Sequence, residues 1–391
     1  MRKTISVAMI EPVGGHGGMD YYDLGLCRGL LAAGCQVSWY TCDETAPPML
    51  SGLRFYPTFK RIYGKDNRWL RAYRYLRGGL ATISKVVASG EKIVHFHLFH
   101  GSMEELFLIV LAKICRRKVV ITVHDVESFG HTGGLSADTI GRIYGLANGL
   151  IVHNAISRSE LTQKLGISVE NITVIPHGNY LDTIRNVPDT VEAKRTLGIS
   201  ESKQVVLFFG QIKEVKGLDI LLGSIPNVSR VIPEVVFLIA GRPWKSDFSY
   251  YEALIDELGV RDLCTLHIHF IPDDEIASYY AAADVVVLPY RRIYQSGVIL
   301  MAMSYQKPVL VSDLPGMTEI VNDSENGYTF PQGSKDHLSE ALIRVLHDEQ
   351  GRARVAANGL AYVKQHHSWE KIGQATSELY RTIISRHPGV S

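Results

Sequence analysis

VAMIEPVGGHGGMDYYDLGLCRGLL, Val7 to Leu31, reads as a short apolar strand, a glycine-rich turn and a helix, and VVLFFGQIKEVKGLDILL, Val205 to Leu222, repeats that order. A strand whose apolar residues run on without alternation is buried on both faces, as in a parallel sheet. Working outward, similar runs recur at 5–10, 37–40, 93–97, 119–124, 150–154 and 172–176, and again at 205–209, 235–240, 265–271, 284–289, 308–312 and 328–330. Helical stretches fall between them, among them 22–33, 218–225 and 276–283. Strand and helix in alternation give α/β architecture with right-handed crossovers, and the restart at Val205 gives two doubly wound parallel-sheet domains. The polar stretch 179–202, with Pro188 and no strand signal, separates them. The expected domains are therefore 1–182 and 183–368, with an amphipathic C-terminal helix (369–391) packing back on the first. Doubly wound domains bind ligands beyond the carboxyl ends of their strands, and two such ends facing each other would place the site in a cleft.

Composition narrows the function. The chain has 391 residues, beyond the usual span of one core. It is 46% apolar and 21% charged, an ordinary globular balance. Its net charge of +1 gives no whole-protein field for nucleic acid. Five cysteines, with no C-x-x-C, argue against a disulfide framework or a zinc ribbon and suit a reducing cytosol. The apolar stretch after Met1-Arg2-Lys3 stops at Glu11, so it reads as a strand rather than a signal peptide. The longest apolar run, 106–114, already contains Lys113 and falls short of the ~20 residues that cross a bilayer.

Five segments carry chemistry. In GGHGGMD, Gly14 to Asp20, four glycines in five positions let backbone approach a ligand at a helix N-terminus, as a phosphate or sugar cradle. The plainer alternative is a strand-to-helix turn. It is no dinucleotide fingerprint, because Tyr40-Thr41-Cys42 ends the second strand without an acid, and NAD is disfavoured. In FFGQIKEVKG, Phe208 to Gly217, Lys216 stands just before a helix, where an anion is favoured; the alternative is a pair of solvated turn lysines. In YQSGVILMAM, Tyr294 to Met303, Ser296 would cap an apolar helix whose first N–H groups Gly297 leaves uncovered for a diphosphate. His95 and His97 share one face of a strand, and His124-Asp125 ends the next. With no carboxylate or Cys array beside them, a metal site is disfavoured and a cleft role for His124-Asp125 fits better. His267 and His269 read as structural or base-contacting. Finally, Lys60 to Leu80 holds seven basic residues against one acid, and Trp69, Tyr73, Leu76 and Leu80 fall within about 60° on a helix. That is either an interfacial helix on anionic lipid, with Arg68, Arg71, Arg74 and Trp69 facing membrane or acceptor, or a helix whose apolar face packs on its own sheet.

The ordered set resembles the family 4 retaining glycosyltransferases of GT-B fold. It is carried by GGMDYYDLGLCRGLLAAGCQV (Gly17 to Val37), HFH (His95 to His97), TVHD (Thr122 to Asp125), VIPHGNY (Val174 to Tyr180), FFGQIKEVKGLDILL (Phe208 to Leu222), YYAAADVVVLPY (Tyr279 to Tyr290), KPVLVSDLPGMTEIV (Lys307 to Val321) and ENGYTF (Glu325 to Phe330). The resemblance implies a nucleotide-sugar donor on the C-terminal domain, an acceptor on the N-terminal one and no divalent metal. It places Gly17 and Gly18 near the donor, His124 by the transferred sugar and Lys216 on the diphosphate. Backbone N–H groups of Ser296, Gly297 and Val298 would join Lys216, Glu319 would fall on the acidic catalytic position, and Phe270 would line the donor site. Three positions depart from the pattern: Gln211 stands where the family has Arg, with Lys213 nearby as a stand-in, and the Glu-x7-Glu pair falls on Ile293 and Met301.

The expected activity is a hexosyltransferase that retains configuration and acts on a glycan or lipid-linked acceptor, as in cell-envelope polysaccharide synthesis. Its expected location is the cytoplasm, with the basic segment suited to the inner face of the membrane. A sugar-nucleotide epimerase on the same fold, and an inactive relative that only binds a sugar nucleotide, are the alternatives.

Overall fold

The computed structural model describes residues 4–14, 19–98, 102–125, 135–244 and 247–386. They form two compact units, Met1–Gly178 with His367–Ser391, and Asn179–His366. The divisions lie four and two residues before those read from sequence, because His177 and Gly178 pack with the first unit and the chain re-enters it at His367.

The first unit carries seven strands: β1 Ser6–Ile10, β2 Gln36–Cys42, β3 Arg54–Phe59, β4 Ile93–Leu98, β5 Lys118–Val123, β6 Gly149–Val152 and β7 Ile172–Val174. They lie in the order β3-β2-β1-β4-β5-β6-β7, every pair parallel. The second carries six: β8 Gln204–Phe209, β9 Val235–Ala240, β10 Cys264–His267, β11 Val285–Leu288, β12 Val309–Ser312 and β13 Tyr328–Phe330, in the order β10-β9-β8-β11-β12-β13, again parallel. The strand order reverses between β1 and β4 and between β8 and β11, so each unit has its switch point where the sequence restarts.

β3 was not expected. It is an edge strand containing Pro57, and its pairing with β2 shifts register so that Thr58 is left over between Pro57 and Phe59. The first three helices of this unit in chain order are α1 Met19–Ala32, α2 Arg68–Ala88 and α3 Met103–Ile114. The segment 60–67 is therefore a loop, and the helix expected over 60–80 is displaced toward its C-terminal end. The C-terminal helix Trp369–Ser385 packs along α1. Any side chain at Gly25 would overlap the Trp369 indole and one at Gly29 would overlap the Trp369 carbonyl, so close approach of the two helices depends on these positions. No helix among the described residues is long and apolar enough to cross a membrane.

Candidate active site

In the second unit, β8 and β11 end side by side at the switch point. The turn after β8 runs through Gly210 and Gln211 into a single helical turn, Glu214–Lys216, and then the helix Leu218–Val231. Gly217 has φ +64°, and a Cβ there would overlap the Pro289 carbonyl, so only glycine lets this turn rest on the end of β11. Arg291 fastens the same junction. Its N–H donates to Val215 O at 2.8 Å, and its guanidinium pairs with Asp219, one N–H···O distance being 2.7 Å.

This packing brings together residues far apart in sequence. The space beside Gly210 holds the Lys216 Nζ 3.4 Å and the Val298 Cγ2 3.7 Å from where a Cβ would stand. Lys216 lies 5.3 Å above the Tyr290 ring. It is half-buried, and desolvation alone pushes its pKa down to about 8. Ser296 occupies the cap position of the helix Gly297–Ser304, but its side chain makes no capping bond, contrary to the reading of it as a side-chain cap. Among the described residues the N–H groups of Gly297 and Val298 have no acceptor. An ammonium and a helix N-terminus with unbonded amides thus converge on one place, an arrangement suited to a phosphate. Gly297 matters for a second reason: its Cα lies so near Tyr180 that a Cβ would come within 2.6 Å of the phenol oxygen. Tyr180, held by its N–H donating to Ser304 Oγ at 3.1 Å, is a site residue that its motif contained but that the sequence reading gave no role.

The remaining donor-side residues are dispersed. Gln211 is half-buried beside Gly210. Lys213 sets its Nζ 5.0 Å over the Trp244 ring. Phe270 is 63% exposed beyond the end of β10, an open aromatic face. Glu319 is exposed just past the short helix Pro315–Thr318, and its charge is felt at the Tyr362 phenol. That Pro-Gly turn closes on the backbone of Ile293, whose carbonyl would be 2.8 Å from a Cβ at Gly316. Gly17 and Gly18 lie outside the described residues.

In the first unit, Tyr22 of α1 is the hub of a buried ring cluster. His97, His124, His153, His177 and Trp369 surround it at centroid distances of 4.9–5.3 Å. His124 follows β5, its side chain buried, 5.1 Å from His153 and 5.7 Å from His97. Burial lowers every one of these imidazoles: His97 and His177 to about 3, His153 to about 4, and His124 well below its usual value. All are neutral at pH 7. His95 is saturated, Nδ1 at 2.7 Å from Tyr380 Oη and Nε2 at 2.8 Å from Thr122 Oγ1. Among the described residues no three His, Cys, Asp or Glu side chains are placed to hold a metal.

Buried carboxyls stand close by. Asp23 Oδ1 is 3.1 Å from His97 Nδ1. Glu11, directly after β1, accepts from Val13 N at 2.9 Å and Gly14 N at 2.6 Å. Burial raises both pKa values well above the carboxylate range. Glu105 forms a capping box with Ser102 at the start of α3, and burial pushes it up to about 8. Glu105, Tyr63, Tyr75, Arg68 and Arg71 line a cavity of about 330 Å³, and Tyr63 reaches the Pro12 carbonyl at 3.4 Å, next to the end of β1.

The exposure of α2 bears on the second of its two readings, packing of the apolar stripe on its own sheet. Trp69 is 69% and Tyr73 61% exposed, with Leu70 and Leu80 beside them, while Gly78, Gly79, Thr82, Ile83 and Val86 pack inward. The expected stripe therefore faces out rather than onto the sheet. Of its arginines, Arg68 lies 4.7 Å over Trp69, but Arg71 and Arg74 are half-buried. Arg74 donates to Asp66 at 2.6 Å and to the Arg61 carbonyl at 3.0 Å, so the loop before the helix consumes this part of the expected basic face.

Residues 16–182 match the family model of Glycosyltransferase Family 4, and residues 189–361 that of Glycosyl transferases group 1. The chain is 26% identical over 385 residues to an uncharacterized glycosyltransferase of Methanocaldococcus jannaschii, covering 94% of this chain and 95% of that one. It is 25% identical over 399 residues to a D-inositol 3-phosphate glycosyltransferase of Xylanimonas cellulosilytica, covering 96% and 94%. In fold it is similar to sucrose-phosphate synthase from Thermosynechococcus elongatus, with a TM-score of 0.78 at 20% identity over 98% of this chain and 100% of the other. With one family model on each unit, a pair of switch-point sheets and a phosphate-suited site at the second, the chain belongs to the group 1, family 4 glycosyltransferases and is a glycosyltransferase of GT-B fold.

Proposed function

We propose that this enzyme moves a hexose from a nucleoside diphosphate sugar to an acceptor hydroxyl with retention of configuration. The observation that carries the reading is the meeting of the Lys216 ammonium with the unbonded amides of Gly297 and Val298 beside Gly210. Charge builds on the leaving diphosphate as the sugar gains oxocarbenium character, and fixed donors aimed at that charge lower the barrier. Phe270 and Gln211 would meet the rest of the donor, and Glu319, past the Pro-Gly turn, the sugar. His124 would act at the transferred sugar as a neutral imidazole.

Positions 293 and 301 bear on the route by which a retaining reaction would run. Ile293 and Met301 cannot serve as a carboxylate nucleophile, which favours a front-face route. The bond from C1 to phosphate oxygen breaks, a bond from C1 to the acceptor oxygen forms on the same face, and the acceptor's proton passes to the leaving phosphate. No divalent cation is needed where an ammonium and helix amides meet the diphosphate, so EDTA should leave the rate unchanged; loss of activity restored by Mn²⁺ or Mg²⁺ would overturn this part.

The acceptor side belongs to the first unit. Its cavity of tyrosines, arginines and carboxyls suits a hydroxyl-rich glycan, and the outward aromatic stripe of α2 suits an acceptor carried at an anionic membrane. The deciding experiment incubates pure protein with radiolabelled nucleotide sugars, with and without lipid extract, and assigns the product anomer by NMR. Transfer with the donor's configuration is expected. An inverted product, an isomerised donor or binding without turnover would each refute the proposal.

A further inference from the structure

A second cavity, of about 380 Å³, opens on the other flank of α2, against the edge strand β3. Its walls are Tyr56, Pro57 and Thr58 on one side and Arg74, Arg77 and Ala81 on the other, with Lys60 and Lys85 at its margins. Two features of the backbone build it. The register shift leaves Thr58 unpaired within β3, and such a bulge re-aims the edge of a sheet. Gly78 then lets α2 close on that bulge, since a Cβ there would stand 2.9 Å from the Thr58 carbonyl. Behind this wall Thr58 is tied to the buried Thr82, their hydroxyl oxygens 2.6 Å apart.

The charge is one-sided. Four basic side chains surround the cavity. Asp66 offsets Arg74, but among the described residues no carboxylate pairs with Lys60, Arg77 or Lys85, and Lys85 lies 5.2 Å over the Tyr56 ring. A concave site with three uncompensated cations and the Arg74 guanidinium fits a compact anion of two charges. At 100° per residue, Arg77 adjoins the row of Trp69, Tyr73 and Leu80, so the mouth borders the exposed apolar stripe.

We propose that this cavity binds a phosphomonoester group, as a site distinct from the one at Lys216. The group could be borne by a lipid at a bilayer surface or by a soluble metabolite. The proposal does not rest on the donor assignment, and it is separable from general membrane attraction. Two vesicle types of phosphatidylcholine are compared, one doped with phosphatidate and one with phosphatidylglycerol, matched in surface potential. Phosphatidate offers a monoester and phosphatidylglycerol only a diester. We expect the wild type to bind the phosphatidate vesicles about tenfold more tightly. The Lys60→Gln/Arg77→Gln/Lys85→Gln variant, whose changes are on exposed side chains, should keep its melting temperature but lose that preference, its binding to the two vesicle types falling to one common level. A parallel titration with glycerol 3-phosphate separates the sources. Saturable binding in the wild type, absent in the variant, identifies a soluble monoester as sufficient; phosphatidate preference without it identifies the lipid. The proposal fails if the wild type shows neither response, or if the variant keeps whichever response the wild type shows.

Discussion

Burial alone displaces the Lys216 pKa, and the direction has consequences. The folded group releases its proton near pH 8, the unfolded one near 10.4. Below pH 8 the folded state therefore bears the full cost of a half-buried ammonium, and that cost is relieved between about pH 8 and 10.4. A bound diphosphate reverses the preference by favouring the charged form. Affinity for a nucleoside diphosphate should accordingly be flat below pH 7 and weaken toward about tenfold per unit above pH 8. Calorimetric titration from pH 6.5 to 9.5 measures this, and Lys216→Ala should flatten the profile. The same change should cost diphosphate binding about 1.5–3 kcal/mol and nucleoside binding little; an equal loss for both would make the lysine a support of the fold. His124 offers a different test. Its ring is packed among Tyr22, His97 and His153, so His124→Ala should lower turnover by about 10²–10³ while the protein stays folded by circular dichroism. Unchanged turnover would reduce His124 to a packing element.

Among the elements, α2 and α3 gain meaning as a pair. They pack together where Gly79 meets Leu108. While α2 turns Trp69 and Tyr73 outward, α3 exposes Met103, Phe107, Val110 and Ile114, all on one side at helical spacing. Apolar side chains are thus exposed on two neighbouring helices, not only along the single stripe visible in 60–80, and exposed apolar surface marks an interaction site where it is contiguous. Trp69→Ala/Phe107→Ala should therefore reduce flotation with anionic vesicles at every salt concentration. Raising salt should weaken the wild type only in its electrostatic share, screened over about 10 Å at 0.1 M. If the double variant floats like the wild type, the face serves another purpose. The elements also show which features were readable in advance. Strand-turn-helix units such as Val205 to Leu222 announce themselves because their pattern is local. β3 did not, because an edge strand with a proline and a bulge lacks a continuous apolar run. Nor could Asp66 be foreseen to occupy Arg74, since that pair depends on where the loop before α2 folds back. The ring cluster around Tyr22 is assembled from α1 and the ends of four strands, with no spacing in the sequence to betray it.

On the scale of the whole molecule, two sets of buried groups pull stability in opposite directions as pH falls. His95, His97, His124, His153 and His177 are held neutral by burial, so below their unfolded value near 6.5 the unfolded chain takes up protons that the folded chain refuses. Their contribution is fully present above pH 6.5 and is lost as pH drops toward the depressed folded values, about 3 for His97 and His177 and about 4 for His153. Glu11, Asp23, Glu91 and Glu105 act the other way. Their folded values are raised, so between about pH 4.5 and those values the folded state binds the extra proton and gains stability on acidification. Between pH 6.5 and 4.5 the two sets therefore act against each other. Below about 4.5 the unfolded carboxyls are protonated too, their compensation ends, and the histidines act alone. Each imidazole kept neutral in the folded state while the unfolded one is protonated costs about 1.4 kcal/mol per pH unit. Urea unfolding followed from pH 7.5 to 3.5 should show stability falling more steeply below about pH 4.5 than above it, the first unit melting before the second. A steep decline already at pH 6, or no steepening below about pH 4.5, would show that the imidazoles around Tyr22 are solvated or partnered in a way that their burial denies.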